Sequence, residues 1–192
     1  MRKRVSIFLL AALPAFSQLV SVGVKAGVPA LDAYTPQPVG DGGANFSEDR
    51  YIVGPTAEIH LPLHFSFEAD ALYRRSSFYI VGGHGYNGNA TINEWQIPFL
   101  AKYEAPFRIF RPFADAGVVF RHLSTNDGGV TALDPQHPNS AGIAAGGGLA
   151  LKFGRIRISP EMRFTHWGQT VFSNAAVVSN NNQADFLVGF TF

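Results

Sequence analysis

The sequence predicts an all-β fold: an eight-stranded antiparallel up-and-down transmembrane β-barrel with a polar interior and a lipid-facing apolar exterior. Three observations predict it. Most of the chain alternates apolar and polar residues with a period of two, the mark of strands with two different faces. The links between the alternating segments are short and long in turn, as in barrels with tight turns at one end and loops at the other. Beyond the N-terminal segment nothing offers 18 consecutive apolar residues for a membrane helix, yet 20 glycines and 17 phenylalanines accompany only 15% charged residues.

The first residues carry Arg2, Lys3 and Arg4, and an apolar run from Val5 to Phe16 follows. That run is too short to span a hydrocarbon core, which takes about 20 helical residues. With Ala15-Phe16-Ser17 behind it, the pattern is that of a secretory leader cleaved after Ser17. Residues 1–17 are thus expected to be a signal peptide and 18–192 a single barrel domain. Losing Arg2, Lys3 and Arg4 leaves 12 cationic against 14 acidic residues, a net of −2, which argues against a nucleic-acid partner. There is no cysteine, so an exported domain must hold together without disulfides.

Four segments alternate most clearly. Ala184, Phe186, Val188, Phe190 and Phe192 interleave with Gln183, Asp185, Leu187, Gly189 and Thr191, and Ile156, Ile158, Pro160, Met162 and Phe164 with Arg155, Arg157, Ser159, Glu161 and Arg163. Phe65 to Arg74 and Arg50 to Ile59 behave alike, and weaker versions cover about 19–28, 94–103, 112–123 and 141–153. Each is expected to run roughly 9–12 residues, the length a tilted membrane strand needs. Residues 29–49, 80–93, 124–140 and 168–181 are the expected long loops; the links near 61–64, 104–111 and 154 are the short turns. Pro55, Pro98 and Pro160 fall inside strands and each removes a ladder donor, so bulges or shifted boundaries are expected there.

Alternation does not by itself say which face is inside. The polar face mixes Lys25, Arg74, Lys102, Arg121, Lys152, Arg155, Arg157 and Arg163 with Glu58, Glu68, Asp70, Glu94, Asp115, Glu161 and Asp185. A buried charge lacking a partner costs several kcal/mol, so this near-balance is a requirement for an interior and optional for an exterior. The same face carries Gly23, Gly27, Gly54, Gly117, Gly146, Gly148 and Gly189, which make room for large neighbours inside a narrow barrel. Aromatics gather at strand ends: Tyr51, Tyr73 and Trp95 towards the long loops, Phe65, Tyr103, Phe153 and Phe192 towards the turns. Interfacial girdles have that arrangement. Eight strands give a bore that side chains fill, so a plugged barrel is expected and not an open channel.

The alternating run Phe186, Val188, Phe190 and Phe192 resembles the C-terminal assembly signal of outer-membrane barrels. With the eight-strand pattern, the chain resembles the small OmpA/OmpX-like barrels over nearly all its mature length. The resemblance implies a bacterial outer-membrane location, contact with outer-membrane lipids and insertion by the barrel-assembly machinery.

Chemistry is sparse. Phe120-Arg121-His122-Leu123-Ser124-Thr125-Asn126 resembles the His-x-Ser pair followed by Asn of outer-membrane lipid A deacylases, with His122 and Ser124 as weak catalytic candidates. It departs from that pattern by the extra Thr125, and residues 141–153 supply no carboxylate to orient His122. His60, His64, His84, His137 and His166 show no ligand spacing, so no metal site is expected. Asp41-Gly42-Gly43 and Asp127-Gly128-Gly129 look like turns and lack the ordered acids of a calcium loop. Gly146-Gly147-Gly148 opens no helix and matches no nucleotide fingerprint, so no cofactor is expected. The leading expectation is a non-enzymatic barrel presenting four extracellular loops, with any extracellular ligand meeting the longest, 29–49 and 124–140. The alternatives are a narrow passive pore, a lipid A-modifying enzyme using His122 and Ser124, and a secreted soluble ligand-binding barrel.

Overall fold

The computed structural model describes residues 19–31, 34–36, 43–81, 87–107, 110–126, 137–171 and 177–192. The expected leader, His84, Asp41-Gly42 and the Asp127 turn lie outside the described residues. Among the described residues eleven strands form: β1 (Val20–Leu31), β2 (Tyr34–Pro36), β3 (Gly43–His60), β4 (Phe65–Asp70), β5 (Leu72–Val81), β6 (Asn87–Glu104), β7 (Phe110–Asn126), β8 (Asn139–Phe153), β9 (Ile156–Trp167), β10 (Val177–Ser179) and β11 (Asn182–Thr191). β4 and β5 are two pieces of one staving strand, since both pair with β3 and with β6. Every neighbour along the chain is antiparallel, and β1 pairs both β11 and β3, which closes the sheet. The result is an all-β, closed, eight-stranded antiparallel barrel. A small ribbon of β2 with β10 joins the first and last long connections.

The break at Ala71 has a local cause. The ladder from Val53↔Tyr73 to Thr56↔Asp70 puts Ala71 opposite Pro55, and the ladder from Ala69↔Phe99 to Leu72↔Gln96 puts Asp70 opposite Pro98. The Ala71 N–H donates to the Pro55 carbonyl (3.0 Å), but Pro55 has no N–H to return the bond. Two prolines on flanking strands therefore thin the same spot. The expected bulges are not there: the register runs unshifted past Pro55, Pro98 and Pro160. At Pro160 the pairing of β8 with β9 skips from Gly148↔Glu161 to Leu151↔Ile158 and resumes in step. Neighbouring ladders hold the strand straight while single donors go missing. Irregularities fall instead between Pro29 and Leu31 and between Phe46 and Arg50.

Several strands also exceed the expected 9–12 residues. β3 and β6 have 18, β7 has 17 and β8 has 15. Parts of the expected loops 29–49, 80–93 and 124–140 are ladder, as in the pairing of Val81 with Gly43 and with Asn87. Alternation marks only the stretch with one apolar and one polar face; backbone pairing does not require it and continues past both ends.

The faces sort cleanly along most strands. In β6, Ile92, Glu94, Gln96, Leu100 and Lys102 point inward and are buried, whereas Trp95, Ile97, Phe99 and Tyr103 are 41–51% exposed. In β11, Gln183, Asp185, Leu187 and Thr191 are buried, and Phe186 and Phe190 are exposed. The barrel is thus polar within and apolar without, the inverse of a soluble domain. Aromatic contacts ring both rims: Tyr73 lies against Tyr51 (6.3 Å between ring centres) and Trp95 (5.4 Å), and Phe65 against Tyr103 (5.2 Å).

Candidate functional site

The interior is an ion-pair lattice. Glu68, from β4, accepts from Lys25 of β1, Lys102 of β6 and Arg163 of β9, so four strands meet on one carboxylate. Lys25 also reaches Asp70 (3.3 Å) and Glu161 (2.9 Å), and Arg163 binds Asp70 (2.9 Å) and Glu161 (2.6 Å). Desolvation of so many charges is offset only by such multiple pairing. Asp115 stands apart: neither of its oxygens has a hydrogen-bond partner among the described residues. It lies against Gly146, where a Cβ would sit 2.8 Å from Asp115 Oδ1 and 3.1 Å from Glu161 Oε1. Gly146 is therefore the space that lets two carboxylates approach the bore.

Towards the long-loop end the plug becomes partly aromatic. The Arg121 guanidinium lies 4.1 Å from the ring centre of the fully buried Trp167, whose indole N–H donates to Gln183 (2.7 Å). Gln96 donates to Glu94 (2.6 Å), and Arg74 pairs with Asp185. Leu100, Val119 and Ala144 pack with Trp167, and Ile52, Leu72 and Leu187 form a second apolar knot.

Twelve of the fifteen charged residues assigned to the interior from sequence are buried there: Lys25, Glu58, Glu68, Asp70, Arg74, Glu94, Lys102, Asp115, Arg121, Glu161, Arg163 and Asp185. Three are not. Arg157 is half-buried at the short-turn mouth, where it pairs with Glu104 and with Glu58 (3.6 Å). Lys152 and Arg155 are exposed. The reason is positional: β8 ends at Phe153, and Gly154 (φ 63°) and Arg155 form the turn, so the alternation runs out before Arg155. Glu104 and Arg111 were missing from the expected network; they pair at 3.1 Å across the neighbouring turn, again where alternation has ceased.

His122 and Ser124 share the exposed outer face of β7. His122 Nδ1 bonds Asn139 Oδ1 (2.7 Å), directly opposite in register. No hydrogen bond joins His122 to Ser124 among the described residues. Asn139 escaped the sequence reading because the Pro138-Asn139-Ser140 lead-in to β8 lacks alternation. The same motif recurs one hairpin on, where His166 Nδ1 bonds Asn182 (2.8 Å). Trp95, Ile97, Phe120, His122, Asn139 and Ala141 line a groove of about 640 Å³ on this outer wall. Among the described residues no group of three or more His, Cys, Asp or Glu side chains could hold a metal ion. His60 is near the turn end, bonded to Ser21 (2.9 Å), and His64 is exposed beside it.

A closed antiparallel sheet of eight strands, charged within and apolar without, can be compared with solved structures. The crystal structure of Neisserial surface protein A superposes with a TM-score of 0.57, covering 90% of this chain and 95% of that one at 14% identity. The two share a fold. The N-terminal β-barrel domain of Pseudomonas aeruginosa OprF matches with a TM-score of 0.42 and 15% identity, covering 90% of this chain and 97% of that one. No protein-family model matches the sequence, and no curated protein matches it significantly.

Proposed function

We propose that the chain is a non-enzymatic barrel of the bacterial outer membrane that presents four loops outside the cell. The observation that carries this reading is the inversion of the faces: Glu68 with its three cations is buried, while Phe99, Phe120, Ile143, Phe164 and Phe190 are 43–63% exposed. In water that exterior is unfavourable at about 25 cal/mol per Å² of apolar surface. In hydrocarbon it is the required one, and closure leaves no unpaired sheet edge.

The short turns and both described ends of the chain then face the periplasm, and the long connections face outward. Residues 1–17 act as the export leader, and Phe186, Val188, Phe190 and Phe192 present the outward row read by the assembly machinery. The filled bore favours a structural or surface-interaction role over conduction. A non-enzymatic wall is favoured by the His122 ring nitrogen bonded to an amide, Asn139, and not to a carboxylate, among the described residues. The similar solved barrel is called a surface protein, and the outward loops give this chain the same opportunity.

The test is an epitope tag inserted between residues 127 and 136. Antibody binding to intact cells is expected; binding only after the outer membrane is permeabilised would reverse the orientation and sink the reading.

A further inference from the structure

The lattice charges are balanced overall but zoned along the barrel axis. Among the described residues, the short-turn mouth holds Lys102, Arg111, Lys152, Arg155 and Arg157 against Glu58 and Glu104, a surplus of three positive charges. The middle holds Lys25 and Arg163 against Glu68, Asp70, Asp115 and Glu161. Moving Lys102, which bridges Glu58 and Glu68, into the middle still leaves the mouth positive.

Of the mouth cations, Arg111, Lys152, Arg155 and Arg157 line a cup of about 910 Å³ opening at the turn end, with Glu104 the one acid in its lining. Arg157 and Arg111 share Glu104, so the one acid at the rim is already engaged. Lys152 and Arg155 have no ion pair among the described residues. Lys152 stands directly opposite Arg157 in the β8–β9 ladder, with Arg155 in the turn between them. Like charges directly opposite destabilise a strand pair, and an anion between them removes the penalty. The rim of the same cup is apolar: Leu63 is 80% exposed, Phe192 74% and Phe65 49%. Leu63 and His64 both hold positive φ, near 64° and 66°, which turns the Leu63 side chain outward from the link.

We infer that this cup binds a phosphate-bearing anion, with Lys152 and Arg155 as the ligand-contacting cations and Arg157 and Arg111 behind them. A basic floor under an apolar rim fits the headgroup of an anionic phospholipid whose chains run into the surrounding leaflet. A free phosphate ester offers the same charge without the chains. Guanidinium and ammonium donors suit either, because both present oxygens in a compact tetrahedral array. The placement of the cup at the inner leaflet rests on the proposed outer-membrane orientation; its charge does not.

The experiment uses the folded barrel in a nonionic detergent, with lipid retention read by native mass spectrometry. Phosphatidylglycerol is expected to be retained in preference to phosphatidylcholine, and less so as salt rises. The double variant Lys152→Gln/Arg155→Gln is expected to weaken retention by about tenfold or more, since it removes both charge-assisted contacts to the anion. Inorganic phosphate is the second probe: if it binds and displaces the lipid the ligand is a free phosphate, and if it does not the headgroup is the source. Equal retention of the two lipids with no phosphate binding, or a double variant that behaves as wild type, overturns the inference. Both substituted residues are exposed at a turn, and an SDS mobility shift on heating checks that the variant is folded. A wild type lacking that shift would fail the membrane reading alone, leaving the phosphate titration to judge the cup.

Discussion

At the scale of single residues the account turns on Glu68 and Asp115, two buried carboxylates in opposite circumstances. Glu68 takes three cations, so Glu68→Gln leaves the buried Lys25, Lys102 and Arg163 undercompensated. Breaking a buried pair of this kind costs about 3–5 kcal/mol. A urea titration of the folded barrel in micelles is expected to show that loss; a midpoint unchanged from wild type would mean the lattice is solvated. Asp115 has no hydrogen-bond partner among the described residues and faces Glu161 across Gly146. Asp115→Asn removes a charge that nothing directly pairs, and a gain of about 1 kcal/mol is expected in the same titration. A loss of 2 kcal/mol or more, on the order of an unsatisfied group, would show that the carboxylate is held by something else. The sequence marked both residues as interior by their place in the alternation. Telling them apart needs the register, because the cations that reach Glu68, and not Asp115, come from positions up to 95 residues away.

At the scale of elements, what was legible was the part of each strand with one wet and one apolar face. Ends were not. β6 begins at Asn87, seven residues before Glu94 opens the alternation recognised in sequence, because the ladder with β5 continues through Asn-Gly-Asn-Ala-Thr, where no alternation marks it. The same blindness hid Asn139 and placed Arg155 inside the barrel. Prolines misled in the other direction: a missing donor was expected to bend the strand, yet neighbouring ladders held it in step. Pro55→Ala supplies the N–H that the Ala71 carbonyl lacks. The new amide at position 55 is expected to exchange with solvent as slowly as its strand neighbours, which a mass-resolved exchange experiment reads. Rapid exchange there would show that the gap at Ala71 has another cause.

At the scale of the whole molecule, the fold class was legible because eight alternating segments and a balanced set of charges on one face admit few closed arrangements. The zoning of those charges was not, since it requires knowing which strand heights coincide around the barrel. The orientation of the faces makes opposite demands on one side chain. Phe99 is 51% exposed at mid-strand, and in a bilayer Phe99→Arg is expected to cost about 2–4 kcal/mol. In a water-soluble barrel the same change at an exposed site is nearly neutral, within about 0.5 kcal/mol. Folding titrations into phospholipid vesicles separate the two.

The most direct measurement is the electrophoretic mobility of the protein in an outer-membrane fraction, with samples left cold or boiled in SDS. A barrel closed by antiparallel pairing of eight strands and pinned by an interior ion lattice is expected to resist cold SDS and to change apparent mass on boiling. A band found in the soluble fraction without detergent, with one mobility under both treatments, would contradict the membrane barrel and turn its faces back towards water.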